Sequence, residues 1–558
     1  MGNDQNQLEH KRHTLAHLLA AAVLELWPDA KPALGPAIEN GFYYDFDFNT
    51  PITEKDLVKI AVKMRQILPS WESFNHREVG AEEARQIYAG NAYKLELIEE
   101  IAGRGDKITL YTCGNFTDLC RGGHSERPAK EINPDAFQLD RIAGAYWRGS
   151  EKNKMLTRIY GLAFNSKKEL DDYLKQREEA EKRDHRKLGK ELDLFTFSDL
   201  VGPGLPLFTP KGTLIRDLIV GKIQSIQSRF GYQKVSIPHI TKKELYITSG
   251  HWDKFGEELF KVKGAGDSEF VIKPMNCPHH TQIYASRPRS YRDLPIRFTE
   301  TTMVYRDEQA GELLGLARVR SITQDDGHVF CTLEQVEDEI RNIITVIKEF
   351  YTLLGLFREG NYRVSLSVRD PKMPDKYLGE EDNWNKAESI LAAVASEEKL
   401  TYSRIEGEAT FYGPKLDFMF KDSLGRERQL ATAQLDFVMP ARFGLEYTAS
   451  DGQRAVPVMI HRAIAGSLER FMAILIEHYA GAFPVWLAPV QVKILPISDK
   501  HLDYARQVLN ELEQKAVRVE IDDAAESLGK KIRQAKLEKI PYLVVIGDHE
   551  VASKLLTV

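Results

Sequence analysis

Histidine and cysteine side chains occur in this chain at spacings that suit metal binding or acid–base chemistry. His13 and His17 lie four residues apart in a segment with helical periodicity, so both rings fall on one face of the predicted helix. Cys120 and His124 have the same spacing but stand beside two glycines, which predict a turn. Together the four side chains could form a zinc site. The alternative is that the histidines are ordinary polar residues of a helix.

A second cluster surrounds Cys277, in the stretch "PMNCPHHTQIYA". His279 and His280 are too close to Cys277 in sequence to complete a metal site alone, so further ligands must come from elsewhere in the chain. The 558-residue chain has only four cysteines, which are too few to cross-link a secreted protein of this size. We therefore expect a cytoplasmic protein.

Fixed charge is concentrated in residues 303–330, "MVYRDEQAGELLGLARVRSITQDDGHVF". Arg306, Arg318 and Arg320 flank a turn that contains glycine, and the alternation in "RVRSITQDD" predicts a strand. Arginines that project from two adjacent antiparallel strands can bind phosphate groups through paired hydrogen bonds. A solvated hairpin with surface salt bridges is the alternative, but it explains poorly why Asp326 and His328 follow directly.

The stretch "VMIHRAIAGSLERFMAILIEHYAG" predicts a strand followed by a helix whose start is rich in small residues. Arg470 lies in that helix among apolar side chains. A buried arginine is costly unless an anion pairs with it. The position therefore indicates either an anion site or a core arginine bonded to carbonyls or to a carboxylate.

The length and composition of the chain limit which protein class and which domain arrangement can position these residues. The chain is 42% hydrophobic and 28% charged with a net charge of -6, which suits a multidomain globular protein and gives no overall basic signature for nucleic acid. No apolar run is long enough to cross a membrane, and the polar start is not a signal peptide. Patterning predicts an α+β domain over 1–166, a charged linker helix over 167–195, a large domain over 196–487 and a parallel-sheet domain over 488–558.

These stretches carry a family resemblance. "YRDE" and "RVRSITQDDGHVF" resemble motif 2 of class II aminoacyl-tRNA synthetases, "GSLERFMAIL" resembles motif 3, and "GYQKVSIP", ending at Pro238, resembles the dimer-forming motif 1. "IKPMNCPHH", "TQDDGH" and "MIHRAIAGSLER" are similar to the threonyl-tRNA synthetase family, and "HTLAHLL" with "CRGGH" is similar to its editing domain. The resemblance implies an antiparallel-sheet catalytic core, an α+β editing domain and a C-terminal α/β anticodon-binding domain.

The implied activity is ATP-dependent ligation of L-threonine to tRNA(Thr) through a threonyl-adenylate, in a homodimer. In this family three protein ligands hold one Zn²⁺ per subunit, and they correspond here to Cys277, His328 and His461. His279 and His280 are then bystanders. Zinc bound by the amino and hydroxyl groups of the substrate would exclude valine. Serine loses only a methyl group, worth about 1–3 kcal/mol of discrimination, and so requires hydrolytic editing of seryl-tRNA(Thr).

The resemblance also implies a cleft that binds ATP with Mg²⁺. Arg306 would contact the ATP α-phosphate and the threonine carboxylate, Arg470 the γ-phosphate, and Glu308 the adenine. The implied threonine-binding residues are Met275, Gln324, Asp326, Tyr412 and Gln434. Lys415 is implied in catalysis together with Arg306 and Arg470, and further nucleotide contacts are implied for Arg318, Gln429 and Ser467.

The implied editing residues are His13, His17, Lys94, Asp118, Cys120 and His124. In the resembling family such residues position water and the mischarged ester and do not bind metal, whereas the spacing alone leaves the zinc site open.

Two departures from the family concern the ends of the chain. Family members often begin with a ubiquitin-like domain ahead of the editing domain, whereas this sequence begins at the editing domain. They also continue beyond its last strand with a basic stretch and a helix, so we expect a shortened anticodon-binding domain, with Arg533 and Glu550 as candidate anticodon contacts. The alternative function is that of a related regulatory protein that senses threonine or tRNA with weak ligation.

Overall fold

The computed structural model describes residues 2–264, 266, 268–422 and 425–558. The chain divides into two compact units, Met1–Glu178 and Glu179–Val558. Within the described ranges, no helix is both long and apolar enough to cross a membrane.

Helices and strands alternate in the first unit. Its helices are α1 (Gly2–Leu26), α2 (Glu54–Ile67), α3 (Ala81–Ile87), α4 (Ala92–Gly103), α5 (Pro128–Glu131) and α6 (Lys167–Lys182), the last of which ends in the second unit. Its strands are β1 (Lys31–Pro32), β2 (Ala37–Ile38), β3 (Gly41–Asp47), β4 (Asn75–Val79), β5 (Ile108–Cys113), β6 (Phe116–Leu119), β7 (Phe137–Tyr146) and β8 (Met155–Ala163).

The core of the first unit fixes α1 against an antiparallel sheet in the order β1-β3-β8-β7, with β2 also paired to β3. Phe42, Tyr44 and Phe46 alternate along β3 and are fully buried, so they share one face of the sheet. Leu15 and Leu18 of α1 belong to the same buried cluster. A second antiparallel sheet, β4-β5-β6, leads into the turn that holds the predicted cysteine–histidine pair.

The second unit holds the remaining elements. Its helices are α7 (His185–Glu191), α8 (Pro210–Ser228), α9 (Lys243–Ser249), α10 (His251–Phe255), α11 (Cys277–Ala285), α12 (Val336–Leu353), α13 (Glu381–Glu397), α14 (Met439–Arg442), α15 (Leu468–Tyr479), α16 (Leu502–Gln514), α17 (Leu528–Leu537) and α18 (Asp548–Ser553). Its strands are β9 (Phe195–Thr196), β10 (Leu207–Phe208), β11 (Gln233–Lys234), β12 (Ile240–Lys242), β13 (Lys261–Lys263), β14 (Glu269–Ile272), β15 (Ile296–Tyr305), β16 (Ser321–Cys331), β17 (Tyr362–Val368), β18 (Tyr402–Glu406), β19 (Lys415–Lys421), β20 (Glu427–Asp436), β21 (Tyr447–Thr448), β22 (Arg454–Ala455), β23 (Val458–Ala463), β24 (Val492–Pro496), β25 (Val519–Ile521) and β26 (Tyr542–Ile546).

An eight-stranded sheet in the order β11-β15-β16-β23-β20-β19-β17-β18 forms the centre of the second unit. Its strands pair antiparallel except at the two edges, where β11–β15 and β17–β18 are parallel. Ile340, Ile343 and Ile347 of α12 recur at helical spacing and are buried in the same cluster as the sheet's apolar side chains. The predicted antiparallel core is confirmed.

Two helices occupy the segment that the sequence predicts as one linker helix. The chain leaves α6 at Lys182 and begins α7 at His185. Asp184 interrupts the helix because its side chain accepts a hydrogen bond from the Arg186 N–H at 2.7 Å, which makes Asp184 the N-cap of α7.

A small sheet in the order β25-β24-β26 follows residue 490, and both of its strand pairs are parallel. Ile494 of β24 and Val544 and Ile546 of β26 form its buried core with Ala505 and Val508 of α16. The strand–helix alternation therefore predicted this α/β domain correctly.

Candidate active site

Two neighbouring strands and the start of a helix bring three metal-binding side chains together in the second unit. Cys277 is the first residue of α11, while His328 in β16 lies directly opposite His461 in β23. One donor atom from each side chain lies within 4.8 Å of the others, and all three residues are buried. Two histidines and a cysteine form a known ligand set for a zinc ion that keeps an open position for substrate.

The nitrogens that face away from this cluster are held by buried partners. His461 Nε2 lies 2.8 Å from Asp436 Oδ2, and His328 Nδ1 lies 2.7 Å from His280 Nδ1. The remaining nitrogens, His328 Nε2 and His461 Nδ1, face each other at 3.1 Å. Outer partners of this kind fix the orientation and tautomer of metal-binding histidines. The expectation that His280 is a bystander is thus corrected, because its ring contacts the His328 ring. Both ring nitrogens of His279 lack a hydrogen-bond partner among the described residues.

Burial sets the protonation of these side chains in the absence of a metal. It raises the pKa of the Cys277 thiol well above its ordinary value and lowers the pKa of His328 well below. The histidine is therefore neutral and ready to donate a lone pair, while the thiol releases its proton only when a cation binds. The donor chemistry fits a divalent transition metal.

A cleft of about 480 Å³ borders this cluster. Tyr412 lines the cleft, and its ring stacks on that of His461 with a centroid separation of 4.7 Å. The Tyr412 hydroxyl donates a hydrogen bond to Gln434 Oε1 at 2.7 Å. The predicted residues that line the cleft are Met275, Arg306, Gln324, Tyr412, Gln429, Gln434, Ser467 and Arg470.

Two arginines in the cleft form no ion pair with any carboxylate of the described residues. Arg306 contacts Met275 Sδ at 3.2 Å, and its Nε has no hydrogen-bond partner among the described residues. Arg470 donates from Nε to the Ala317 carbonyl at 3.0 Å. Burial lowers the pKa of both guanidinium groups, and nearby arginines lower that of Arg470 further, yet both stay charged near neutral pH. The cleft therefore attracts a polyanion such as a nucleotide triphosphate.

The motif 2 arginines lie beyond the ends of the paired strands. Arg306 follows β15, while Arg318 and Arg320 precede β16, so they do not project from the strands as predicted. The backbone still continues the hairpin, since the Arg306 N–H donates to the Arg320 carbonyl at 3.0 Å. Arg318 Nε donates to Glu308 Oε2 at 2.7 Å, which fixes the carboxylate that the resemblance assigns to adenine.

Lys415 and Asp326 do not line the cleft but bond to residues that sequence reasoning missed. Lys415 forms an ion pair with Asp417, two residues along β19, and Asp417 also accepts a hydrogen bond from Gln429 at 2.6 Å. Lys415 and Asp417 are two residues apart in one strand, so their side chains share a face, and this spacing could have predicted the pair. Asp326 accepts a hydrogen bond from Asn276 at 3.0 Å.

His251 also went unnoticed in the sequence. It lines the cleft, and its Nε2 lies 3.9 Å from Cys277 Sγ. Nothing in its sequence surroundings distinguished it from an ordinary buried histidine.

The predicted editing residues form a second, separate cluster in the first unit. Cys120 Sγ lies 3.3 Å from His124 Nε2 and 3.5 Å from His13 Nε2. His13 Nε2 lies 3.2 Å from His17 Nε2. One donor atom from each of the four side chains lies within 4.8 Å of the others, so geometry alone permits a metal here too.

The second cluster differs from the first in that it contains paired positive and negative charges. Burial opposes the ionisation of Asp118, but an ion pair with Lys94 and contact with His17 lower its pKa below the usual range. Burial also opposes the charged form of His17, yet hydrogen bonds with Asp118 and Cys120 raise its pKa to about 9. Tyr44, which the sequence did not suggest, donates a hydrogen bond to Asp118 at 2.5 Å.

Cys120 is ionised at neutral pH. Burial would raise the pKa of its thiol, but hydrogen bonds with His124, His13 and His17 lower it to about 3. A thiolate beside a protonated histidine is already neutralised as a pair. The cluster therefore holds its charges without a metal ion.

The two anticodon candidates differ in their surroundings. Arg533 is exposed on α17. Glu550 is buried at the start of α18, where it accepts hydrogen bonds from the Gly547 N–H at 2.9 Å and the Thr557 hydroxyl at 2.7 Å. Its carboxylate therefore caps a helix.

Three segments of the chain match described protein families. Residues 260–479 match the tRNA synthetase class II core domain (G, H, P, S and T), and residues 491–558 match the anticodon binding domain. Residues 108–160 match the threonyl and alanyl tRNA synthetase second additional domain. The fold and these matches define a class II aminoacyl-tRNA synthetase.

Relatives that match along nearly the whole chain narrow this class. The chain is 49% identical over 540 residues to the threonine–tRNA ligase of Rubrobacter xylanophilus, which covers 97% of this chain and 83% of that protein. It is 49% identical over 563 residues to the threonine–tRNA ligase of Gloeobacter violaceus, which covers 100% of this chain and 89% of that protein. The chain belongs to the threonine–tRNA ligase family.

Solved structures agree with this assignment. The RNA binding domain of threonyl-tRNA synthetase from Cryptosporidium parvum is 37% identical and superposes with a TM-score of 0.64, covering 67% of this chain and 92% of that one. Giardia lamblia prolyl-tRNA synthetase is 18% identical with a TM-score of 0.54, covering 68% of this chain and 72% of that one, which indicates a shared fold only.

We expect Cys120 to react with iodoacetamide at a rate that stays constant from about pH 5 to about pH 8, because a thiol with a pKa of about 3 is ionised throughout that range. Mass spectrometry of the Cys120 peptide measures the rate. Buried Cys113 is an internal control, since burial raises the pKa of its thiol to about 11. A Cys120 rate that rises about tenfold per pH unit up to about pH 8 would contradict the ionised thiol.

Proposed function

We propose that this protein ligates L-threonine to tRNA(Thr) through a threonyl-adenylate, and that its first unit hydrolyses mischarged seryl-tRNA(Thr). The observation that carries the proposal is the buried set of Cys277, His328 and His461 beside a cleft with two unneutralised arginines. The sensor alternative has less support, because a protein that only senses threonine has no need of two arginines for a polyphosphate. We assign the editing domain to 1–166, the linker to 167–195, the catalytic domain to 196–487 and the anticodon-binding domain to 488–558.

The proposed metal is one Zn²⁺ per subunit, held by Cys277, His328 and His461. A zinc ion held there would recognise both the amino and the hydroxyl group of threonine, whereas valine offers only its amino group. Asp436 and His280 hold the outer nitrogens of the two histidines and so keep the metal-facing nitrogens in place.

Activation requires positioning and charge stabilisation more than acid–base chemistry. A carboxylate oxygen of threonine attacks the α-phosphorus of ATP, and the bond to the leaving pyrophosphate breaks. Arg306 is proposed to hold the carboxylate and α-phosphate, and Arg470 to hold the γ-phosphate. Mg²⁺ is expected with the nucleotide. Both side chains are half-buried in the cleft, and Arg470 is held by the Ala317 carbonyl, so they can stabilise the charge that develops with little reorganisation.

The remaining candidate residues, in and around the cleft, are proposed to orient the two substrates. Threonine would contact Met275, Gln324, Asp326, Tyr412 and Gln434, and ATP would contact Glu308, Arg318, Gln429 and Ser467. Lys415 has a proposed catalytic role, with its ammonium held by Asp417.

Hydrolysis of the seryl ester is proposed for the first unit, where His13, His17, Lys94, Asp118, Cys120 and His124 lie. A water oxygen attacks the ester carbonyl, and the ribose oxygen leaves with a proton. Burial lowers the pKa of His124, so its neutral ring can take a proton from water near pH 7.

Assembly and location are further parts of the proposal. The motif 1 segment, 231–238, includes β11 at the edge of the large sheet, which favours a homodimer through that edge. Arg533 is proposed to contact the tRNA anticodon, and Glu550 to support it indirectly as a helix cap. We propose a cytoplasmic enzyme because ATP and tRNA are its substrates.

Amino-acid-dependent ATP–pyrophosphate exchange tests activation. We expect threonine to support exchange, serine to support it about 10-fold to 200-fold less efficiently, and valine to give none, because only the first two carry a hydroxyl group for the metal.

Arg306→Gln should lower kcat/KM for the same exchange reaction by about 100-fold or more, since it removes charge stabilisation at the α-phosphate. The matched control Arg292→Gln alters an exposed arginine of the same unit and should leave exchange unchanged. No exchange with any amino acid would refute the proposed ligase.

Editing is tested by deacylation of seryl-tRNA(Thr). In His13→Ala and Cys120→Ala we expect the hydrolysis rate to fall about 100-fold while threonine exchange stays normal, because the cluster lies in a separate unit. Cys113→Ala, at a buried cysteine of the same unit outside the cluster, is the control for Cys120→Ala. Normal clearance of serine in both cluster variants would remove the editing assignment.

A further inference from the structure

His185 is a buried histidine that none of the proposed roles uses. It is the first residue of α7, within the predicted linker segment 167–195, and it is only 4% exposed. Its Nδ1 lies 2.7 Å from Glu477 Oε1, and its Nε2 lies 3.1 Å from the Leu316 backbone nitrogen. The ring therefore joins three separate parts of the second unit: α7, α15 and the loop between β15 and β16.

The contacts of His185 fix its tautomer. A backbone N–H can only donate, so Nε2 must accept the hydrogen bond from Leu316, and Nδ1 must carry the proton that it shares with Glu477. Both ring nitrogens are thus engaged. The neighbouring carboxylates of Asp184 and Glu477 make the trio resemble a metal site. The two carboxylates face Nδ1, and a metal bound there would leave the ring proton on Nε2 and break the Leu316 bond, so the ring acts as a connector.

The loop that His185 holds contacts the proposed ATP site at the next two residues. The Ala317 carbonyl accepts the hydrogen bond from Arg470 Nε at 3.0 Å. Arg318 donates to Glu308 Oε2 at 2.7 Å. Three consecutive residues of the loop therefore form hydrogen bonds: Leu316 with His185, Ala317 with Arg470 and Arg318 with Glu308. Arg470 is the arginine proposed for the γ-phosphate, and Glu308 is the carboxylate proposed for adenine.

Gly315 allows the loop to approach the ring. Its φ is +49°, and a Cβ built on it would lie 2.4 Å from His185 Nε2. Any side chain here would push the loop away from the histidine and strain the backbone. The close contact between the His185 ring and the loop thus requires glycine at position 315.

Both elements that hold the ring are rigidly placed. Leu188 of α7 and Leu192, the residue after its end, are buried in the main core of the second unit. Glu477 lies on α15, two turns of helix beyond Arg470. The loop is therefore bound to α15 twice, once through Arg470 and once through His185 and Glu477.

We propose that His185 is a positioning residue for ATP: through Leu316 it fixes the loop that orients Arg470 and Arg318. This inference rests on the proposed function of the cleft. It assigns to α7, the second helix of the predicted linker segment, a part in nucleotide binding, although His185 itself touches no substrate.

The test compares His185→Leu, which keeps the bulk of the side chain and removes both hydrogen bonds, with His185→Gln, whose amide oxygen can still accept from Leu316. We expect His185→Leu to raise the KM for ATP about tenfold in pyrophosphate exchange, while the KM for threonine changes less than about twofold. His185→Gln should recover most of the affinity for ATP. His501→Leu is the matched control, since His501 is equally buried and bonded to a carboxylate, but in the anticodon-binding region.

Calorimetric titration with a non-hydrolysable ATP analogue measures the same loss without threonine, so the test stands even if no amino acid is activated. Gly315→Ala provides a second variant with His185 intact, and we expect the same weaker binding of the analogue. Circular dichroism establishes that each variant is folded. An unchanged KM for ATP in folded His185→Leu, equal losses for ATP and threonine, or the same loss in His501→Leu would each overturn the proposal.

Discussion

The register between β16 and β23 is the constraint on which the rest of the active site depends. It sets His328 directly opposite His461, although 133 residues separate them in sequence. A slip of one residue would send one of the two rings to the other face of the sheet. β23 leads into α15, which carries Arg470, while β15, the other neighbour of β16 in the sheet, ends one residue before Arg306. The two pairings of β16 therefore place two of the proposed metal ligands and both proposed phosphate ligands.

The two clusters show how surroundings decide the chemistry of the same residue types. Cys277 is buried near Asp326 and Asp436, and both burial and these carboxylates raise the pKa of its thiol. Cys120 is surrounded by imidazole rings, which lower the pKa of its thiol to about 3. The first thiol requires a cation in order to ionise, whereas the second is ionised without one. The two thiols therefore differ in protonation state near neutral pH before any cation binds.

Local patterns in the sequence predicted some of this structure and could not predict the rest. Helical spacing placed His13 and His17 on one face, and strand–helix alternation predicted the parallel C-terminal sheet. No spacing rule could join Cys277 to His328 and His461, because sheet register pairs the two histidines and the packing of α11 adds the cysteine. The family resemblance supplied the set. His280 was misjudged because its contact with His328 is a product of packing. The break before His185 was missed because one capping aspartate interrupts an otherwise continuous helical pattern.

The central claim is that Cys277, His328 and His461 hold a metal that recognises the hydroxyl group of the substrate. Replacing the metal with Co²⁺ and recording the visible absorption spectrum during amino acid titration tests it most directly, because the band positions and intensities report ligand type and geometry. We predict one Co²⁺ per chain, a spectrum that changes with threonine and serine but not with valine, and loss of the ion in Cys277→Ser. Retention of the ion in Cys277→Ser, or the same spectral change with valine, would contradict the account.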